Sequence, residues 1–146
     1  MTTEQLITDI RTAFKSFRPT MFIRGTCSCD ECLEHEATLQ TFVSAELPLE
    51  KLNSSAWDPI CFASNEAYFY LLPGLVKLVL DHTDEYVSQF IFHLSQPERL
   101  ESFSPQQAQA LIRVLDYLVD KQAPALDINQ AADDLLRLRE SLEDLR

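Results

Sequence analysis

The chain has 146 residues, with 12 Lys and Arg against 23 Asp and Glu, for a formal net charge of −11. That length suits one domain with its own core. Only two glycines are present, Gly25 and Gly74, so no Rossmann fingerprint or P-loop can be built, and a turn-rich sandwich is unfavourable.

Residues 1–73 hold five basic and ten acidic side chains and residues 74–146 hold seven and thirteen, so the acidity is no tail. Such a field repels nucleic-acid phosphates and anionic lipid and attracts basic proteins. The exception is the stretch 10–29. It carries Arg11, Lys15, Arg18 and Arg24 without an acid, interleaved with Phe14, Phe17 and Phe22. Against the overall charge, it reads as a solvated basic helix face rather than a nucleic-acid patch. The start, MTTEQLITDI, has neither the basic nor the apolar segment of a signal peptide. The most apolar run, from Ala67 to Leu80, is shorter than the ~20 residues that cross a bilayer. No membrane contact and a cytoplasmic location are expected, with cysteines as thiols or ligands rather than structural disulfides.

Thr2 and Gln5 form a capping box, followed at helical spacing by Leu6, Ile10, Ala13, Phe14 and Phe17. Pro19 is expected to stop this first helix. Ser28 and Glu31 form a second box, which places Ser28 at the N-cap and Cys29 at the first helical position. That helix is expected to reach about Val43, with Cys32, Leu39, Phe42 and Val43 facing inward. Pro48 and Pro59 bracket an irregular stretch containing Trp57.

Residues 65–82 are apolar nearly all round and predict a central buried helix, with Phe69, Leu72 and Val76 almost fully covered. Pro73 predicts a kink or break within it. Thr83, followed by Asp84 and Glu85, predicts the cap of the next helix, with Tyr86, Val87, Phe90, Ile91 and Leu94 as its apolar face. Ser104-Pro105-Gln106-Gln107 is the clearest start signal, leading into Ala108, Leu111, Ile112, Leu115, Leu118 and Val119. Pro124 ends that segment. Asp127 to Gln130 open the last helix, whose residues Ile128, Ala131, Leu135, Leu138, Leu142 and Leu145 form a coiled-coil-like seam. The seam can pack on the chain's own bundle or support a dimer. The expected fold is a single all-α domain over residues 1–146, a bundle of about six helices.

Cys27, Cys29, Cys32 and His35 fall within nine residues, as C-x-C-x2-C-x2-H. Zinc takes four soft or borderline ligands of these types, and a loop entering a helix can deliver them. His35 is the difficult member: on a straight helix it lies about 9 Å along the axis from Cys29. All four meet only if the first turn unwinds, and Cys61, His82 or His93 could replace His35. Bound zinc and unliganded thiols both remain open readings. A redox reading rests on Cys29 and Cys32 as a C-x-x-C at a helix start. Asp30, Glu31 and Glu34 oppose thiolate formation there, and no βαβ context is present. Cys61 among apolar neighbours reads as a small core residue, His82 as a cap, and His93 as a core histidine. No HExxH, Glu-x-x-His or G-x-S-x-G pattern occurs.

The segments from Ser64 to Leu75, with Tyr68, Tyr70, Leu72 and Pro73, and from Leu100 to Leu118, with Ser104 to Gln107, carry a resemblance. Over roughly residues 60–120 the chain resembles a family of small bacterial helical proteins of unknown function. The resemblance implies a helical fold and transfers no activity. The expected function is that of a non-enzymatic helical binding protein with a basic protein partner, carrying a structural zinc site. The alternative is a thiol- or metal-dependent enzyme using Cys27, Cys29 and Cys32.

Overall fold

The computed structural model describes residues 1–25, 27–54, 56–121 and 131–145. Among these, seven α-helices form an all-α bundle: α1 (Thr3–Ala13), α2 (Asp30–Gln40), α3 (Asn65–Asp81), α4 (Thr83–Leu94), α5 (Pro97–Leu100), α6 (Pro105–Lys121) and α7 (Ala131–Glu143). Two 3-10 turns, Leu49–Lys51 and Pro59–Phe62, lie between α2 and α3. The helix beyond the expected six is α5, a single turn with proline at its start. The expected last-helix cap, Asp127 to Gln130 with Ile128, and the stop at Pro124 lie outside the described residues.

Two capping boxes form as read. Thr2 and Gln5 exchange bonds at the start of α1, at 3.2 and 2.9 Å, and Ser104 and Gln107 do so at α6, at 3.1 and 2.9 Å. α1 is shorter than expected. It ends at Ala13, whose carbonyl accepts a bond from Gln107 Nε2 at 3.2 Å. Phe14 turns inward against Phe69 and Phe103, with ring centroids 5.6 and 5.7 Å away. Phe17, expected on the buried stripe, is 95% exposed because the helix has already ended.

α3 is the buried centre. Leu72 and Val76 are fully covered, whereas Phe69 is only partly buried and packs at the edge of the core. Pro73 lies inside α3, which continues past it to Asp81, so the proline does not break the helix. Beside it, Gly74 lets another segment approach closely. A Cβ at Gly74 would stand 2.8 Å from both Leu47 Cγ and the Ser44 carbonyl. His82 alone joins α3 to α4. Thr83 is therefore not a cap but the first residue of α4, and its hydroxyl donates back to the Val79 carbonyl at 2.8 Å.

α7 packs on α6 and α4, which buries Ala131, Leu135, Leu138 and Leu142 and closes its seam on the chain's own bundle. Arg139 Nε bonds Asp116 Oδ1 at 2.6 Å across the α6–α7 interface.

A buried polar lock fixes the Pro59–Phe62 turn. Asp58 caps it, accepting from the Ile60 N–H at 3.0 Å. Its other oxygen meets His93 Nε2 at 2.6 Å and Gln89 Nε2 at 2.8 Å. Arg99, fully buried, donates to the carbonyls of His93, Ile60 and Ala63 at 3.0, 3.0 and 3.3 Å and lies 4.1 Å from the Tyr68 ring centroid. These bonds offset much of the cost of burying the groups, although His93 Nδ1 and Arg99 Nε are left without partners.

Candidate metal and thiol site

The site lies where the loop after α1 enters α2. Three side chains hold that loop. Glu36 of α2 accepts the Phe22 N–H with both carboxylate oxygens at 3.0 Å, and the Ile23 N–H at 3.1 Å. Gln40 Nε2 donates to the Thr20 carbonyl at 2.8 Å. Arg18 donates to the Gln40 carbonyl, an orphan carbonyl at the end of α2, and to the Phe42 carbonyl just beyond it at 2.7 Å. This also ends α2 at Gln40, short of the expected Val43, which is left 55% exposed. Arg24 is paired to Glu98 at 2.8 Å, so two cations of the basic stretch serve the protein's own loop. On its other side the loop pairs with residues 62–64: the Arg24 N–H reaches the Phe62 carbonyl and the Ser64 N–H the Phe22 carbonyl, both at 2.8 Å.

So anchored, the loop delivers its cysteines to the N-terminus of α2. The N-cap is Cys29, one residue later than the expected Ser28. Its Sγ accepts the Cys32 N–H at 3.5 Å. The sulfurs of Cys27, Cys29 and Cys32 all lie within 4.8 Å of one another, and those of Cys27 and Cys29 are 3.2 Å apart. In a tetrahedron of 2.3 Å zinc–sulfur bonds, sulfurs stand about 3.8 Å apart, so the donors are already near a chelating arrangement. Cys27 and Cys29 are exposed and Cys32 is half-buried, which leaves an entry path for an ion. Hydrogen bonds from the Cys32 thiol, then from the Cys29 backbone and thiol, hold the Cys27 thiol below its ordinary range. Hydrogen bonding to the Cys27 thiol, then to the Cys29 thiol, and then burial push Cys32 up to about 12.

His35 stands outside this group of three. Its ring is 1% exposed and sandwiched between aromatic rings, with centroids 4.1 Å from Phe62 and 4.4 Å from Trp57. The lock on the Pro59–Phe62 turn thereby holds the floor of the sandwich. Neither ring nitrogen of His35 has a hydrogen-bond partner, and Glu31 Oε1 lies 3.7 Å from Nε2. The other three candidate ligands are also outside the group. His93 is held by Asp58, and His82 Nδ1 faces Glu85 Oε1 at 3.6 Å between α3 and α4.

Cys61 is exposed rather than a core residue, at the mouth of a cavity of about 300 Å³ shared with Asp58, Phe92 and His93. Although the residue is exposed, its neighbours partly desolvate the sulfur, and this, then the Asp58 charge, pushes its thiol up; His93 Nδ1 has no hydrogen-bond partner. Cys61 and His93 are therefore not arranged as an activated nucleophile and base.

Reading the sequence alone missed Glu36 and Trp57. The loop's unpaired backbone donors were the only signal for an acceptor such as Glu36. No protein family, curated protein or solved structure matches the chain. No helix among the described residues is long and apolar enough to cross a membrane.

Proposed function

We propose that the protein is a cytoplasmic, non-enzymatic helical binding protein whose loop–helix junction is fastened by a zinc ion. The observation that carries the metal reading is the convergence of the Cys27, Cys29 and Cys32 sulfurs within 4.8 Å at a helix N-terminus. Three thiolates are a donor set that zinc favours, and the exposed N–H groups of α2 stabilise them. We assign the fourth position to His35. It lies one turn beyond Cys32 on the same helix, and both of its buried ring nitrogens lack partners. Closing the site requires the first turn of α2 and the His35 ring to approach one another. The net charge of −11 supports a basic protein as the binding partner.

The test is elemental analysis of protein purified without chelator. About one zinc per chain is expected in the wild type, and almost none in Cys32→Ser. Less than about 0.2 zinc per chain in the wild type, with a melting curve indifferent to chelator, would overturn the metal reading.

A further inference from the structure

We propose that Cys27 and Cys29 form an oxidisable dithiol that a small neutral hydroperoxide converts to a disulfide, using sulfurs that the metal also needs. The coupling to metal rests on the zinc reading above; the dithiol itself does not. Three observations carry it. The two sulfurs lie 3.2 Å apart, so a resolving thiol already touches the one to be oxidised. Both residues are exposed to solvent, whereas Cys32 is half-buried. Asp30 and Glu31, in the first turn of α2, place negative charge beside the sulfurs. That charge repels anionic oxidants such as glutathione disulfide and admits uncharged hydrogen peroxide.

The chemistry closes on these atoms. The Cys27 thiolate sulfur attacks one peroxide oxygen and the O–O bond breaks. The departing hydroxide takes a proton to become water, and Cys27 carries a sulfenic acid. Cys29 sulfur, having lost its proton, then attacks Cys27 sulfur. The S–O bond breaks, and hydroxide leaves and is protonated to a second water. Two thiols lose two electrons in all, and one peroxide is reduced to two waters. Cys27 and Cys29 are open to solvent where the peroxide arrives, and half-buried Cys32 stands aside. Once joined, Cys27 and Cys29 no longer offer two thiolates, so oxidised protein cannot retain the ion.

The experiment uses the full chain, reduced and stripped of metal, with one equivalent of hydrogen peroxide, followed by intact mass and peptide mapping. The expected product is lighter by about 2 Da, two hydrogens, with the bridge between Cys27 and Cys29. Cys32→Ser should give the same bridge although its metal site is broken. Cys29→Ser, which keeps a good N-cap, should instead accumulate a Cys27 sulfenic acid trapped by dimedone. Zinc at ten times its Kd should slow the wild-type reaction about ten-fold, and oxidation of loaded protein should release the ion to a chromophoric chelator. A bridge ending at Cys32 or Cys61, or Cys27 carried to sulfinic acid without a bridge, would overturn the dithiol. Equal oxidation rates with and without bound zinc would overturn the shared use of the sulfurs. Failure of the reduced wild type to take up zinc would instead overturn the metal reading, with the dithiol still decided by the mass and mapping data.

Discussion

Glu36 accepts the main-chain N–H of Phe22, fourteen residues before it, through both carboxylate oxygens at 3.0 Å. With the bond from Ile23 at 3.1 Å, one α2 side chain satisfies two consecutive donors of the loop that leads to Cys27. The loop's course is therefore set from α2, the same helix that carries Cys29 and Cys32.

Glu36→Ala should accordingly act on stability and on the cluster together. Two partly buried donors lose their acceptor, at a cost of about 1–3 kcal/mol. Urea denaturation measures the loss. Zinc affinity should fall with it, because Cys27 is no longer held over the helix start. A variant as stable as the wild type would show that water replaces the carboxylate.

The central helix offers a second check. Leu72 is fully buried in α3, and Leu72→Ala should cost about 2–5 kcal/mol. A cost below about 1 kcal/mol would place α3 at the periphery of the core.

Gly74→Ala tests the close approach of the segment containing Ser44 and Leu47. In an open helix the change would gain about 1 kcal/mol from propensity. Here the new Cβ would lie 2.8 Å from the Ser44 carbonyl, which is backbone and cannot swing away. Overpacking of this kind costs about 1–3 kcal/mol, so a net loss in thermal stability is expected. A raised melting temperature would contradict the contact.

Thiol reactivity separates the cysteines. In metal-free, reduced protein near neutral pH, Cys27 should be alkylated faster than Cys61. The first is held below its ordinary range by hydrogen bonds from Cys32 and Cys29, and the second is raised by burial and by Asp58. Raising the pH should narrow the difference, since it increases the thiolate fraction of Cys61 while Cys27 approaches saturation. Mass-resolved alkylation rates check this, and a faster Cys61 would contradict the cluster's hydrogen bonding.

Much of the fold was legible because it is written in local chemistry. Thr2 with Gln5 and Ser104 with Gln107 declare helix starts by reciprocal side-chain bonds, and the apolar spacing after them gives the buried faces. What failed was set by distant partners. Phe17 has helical spacing, yet α1 ends early where Gln107 takes the Ala13 carbonyl. Val43 fits the α2 stripe, but the helix ends sooner, at Gln40, whose carbonyl Arg18 covers. The three cysteines were legible as a cluster because they are close in sequence. The burial of His35 was not, since its sandwich is made by Trp57 and Phe62 from another segment.

X-ray absorption at the zinc edge on the metal-loaded full chain reads the ligands of the ion themselves. The expected spectrum has three sulfurs at about 2.3 Å and one nitrogen at about 2.0 Å around the zinc, with the outer-shell scattering of one imidazole. His35→Ala should remove the imidazole signal and keep the three sulfurs. A first shell made only of oxygen and nitrogen would contradict a metal site at Cys27, Cys29 and Cys32.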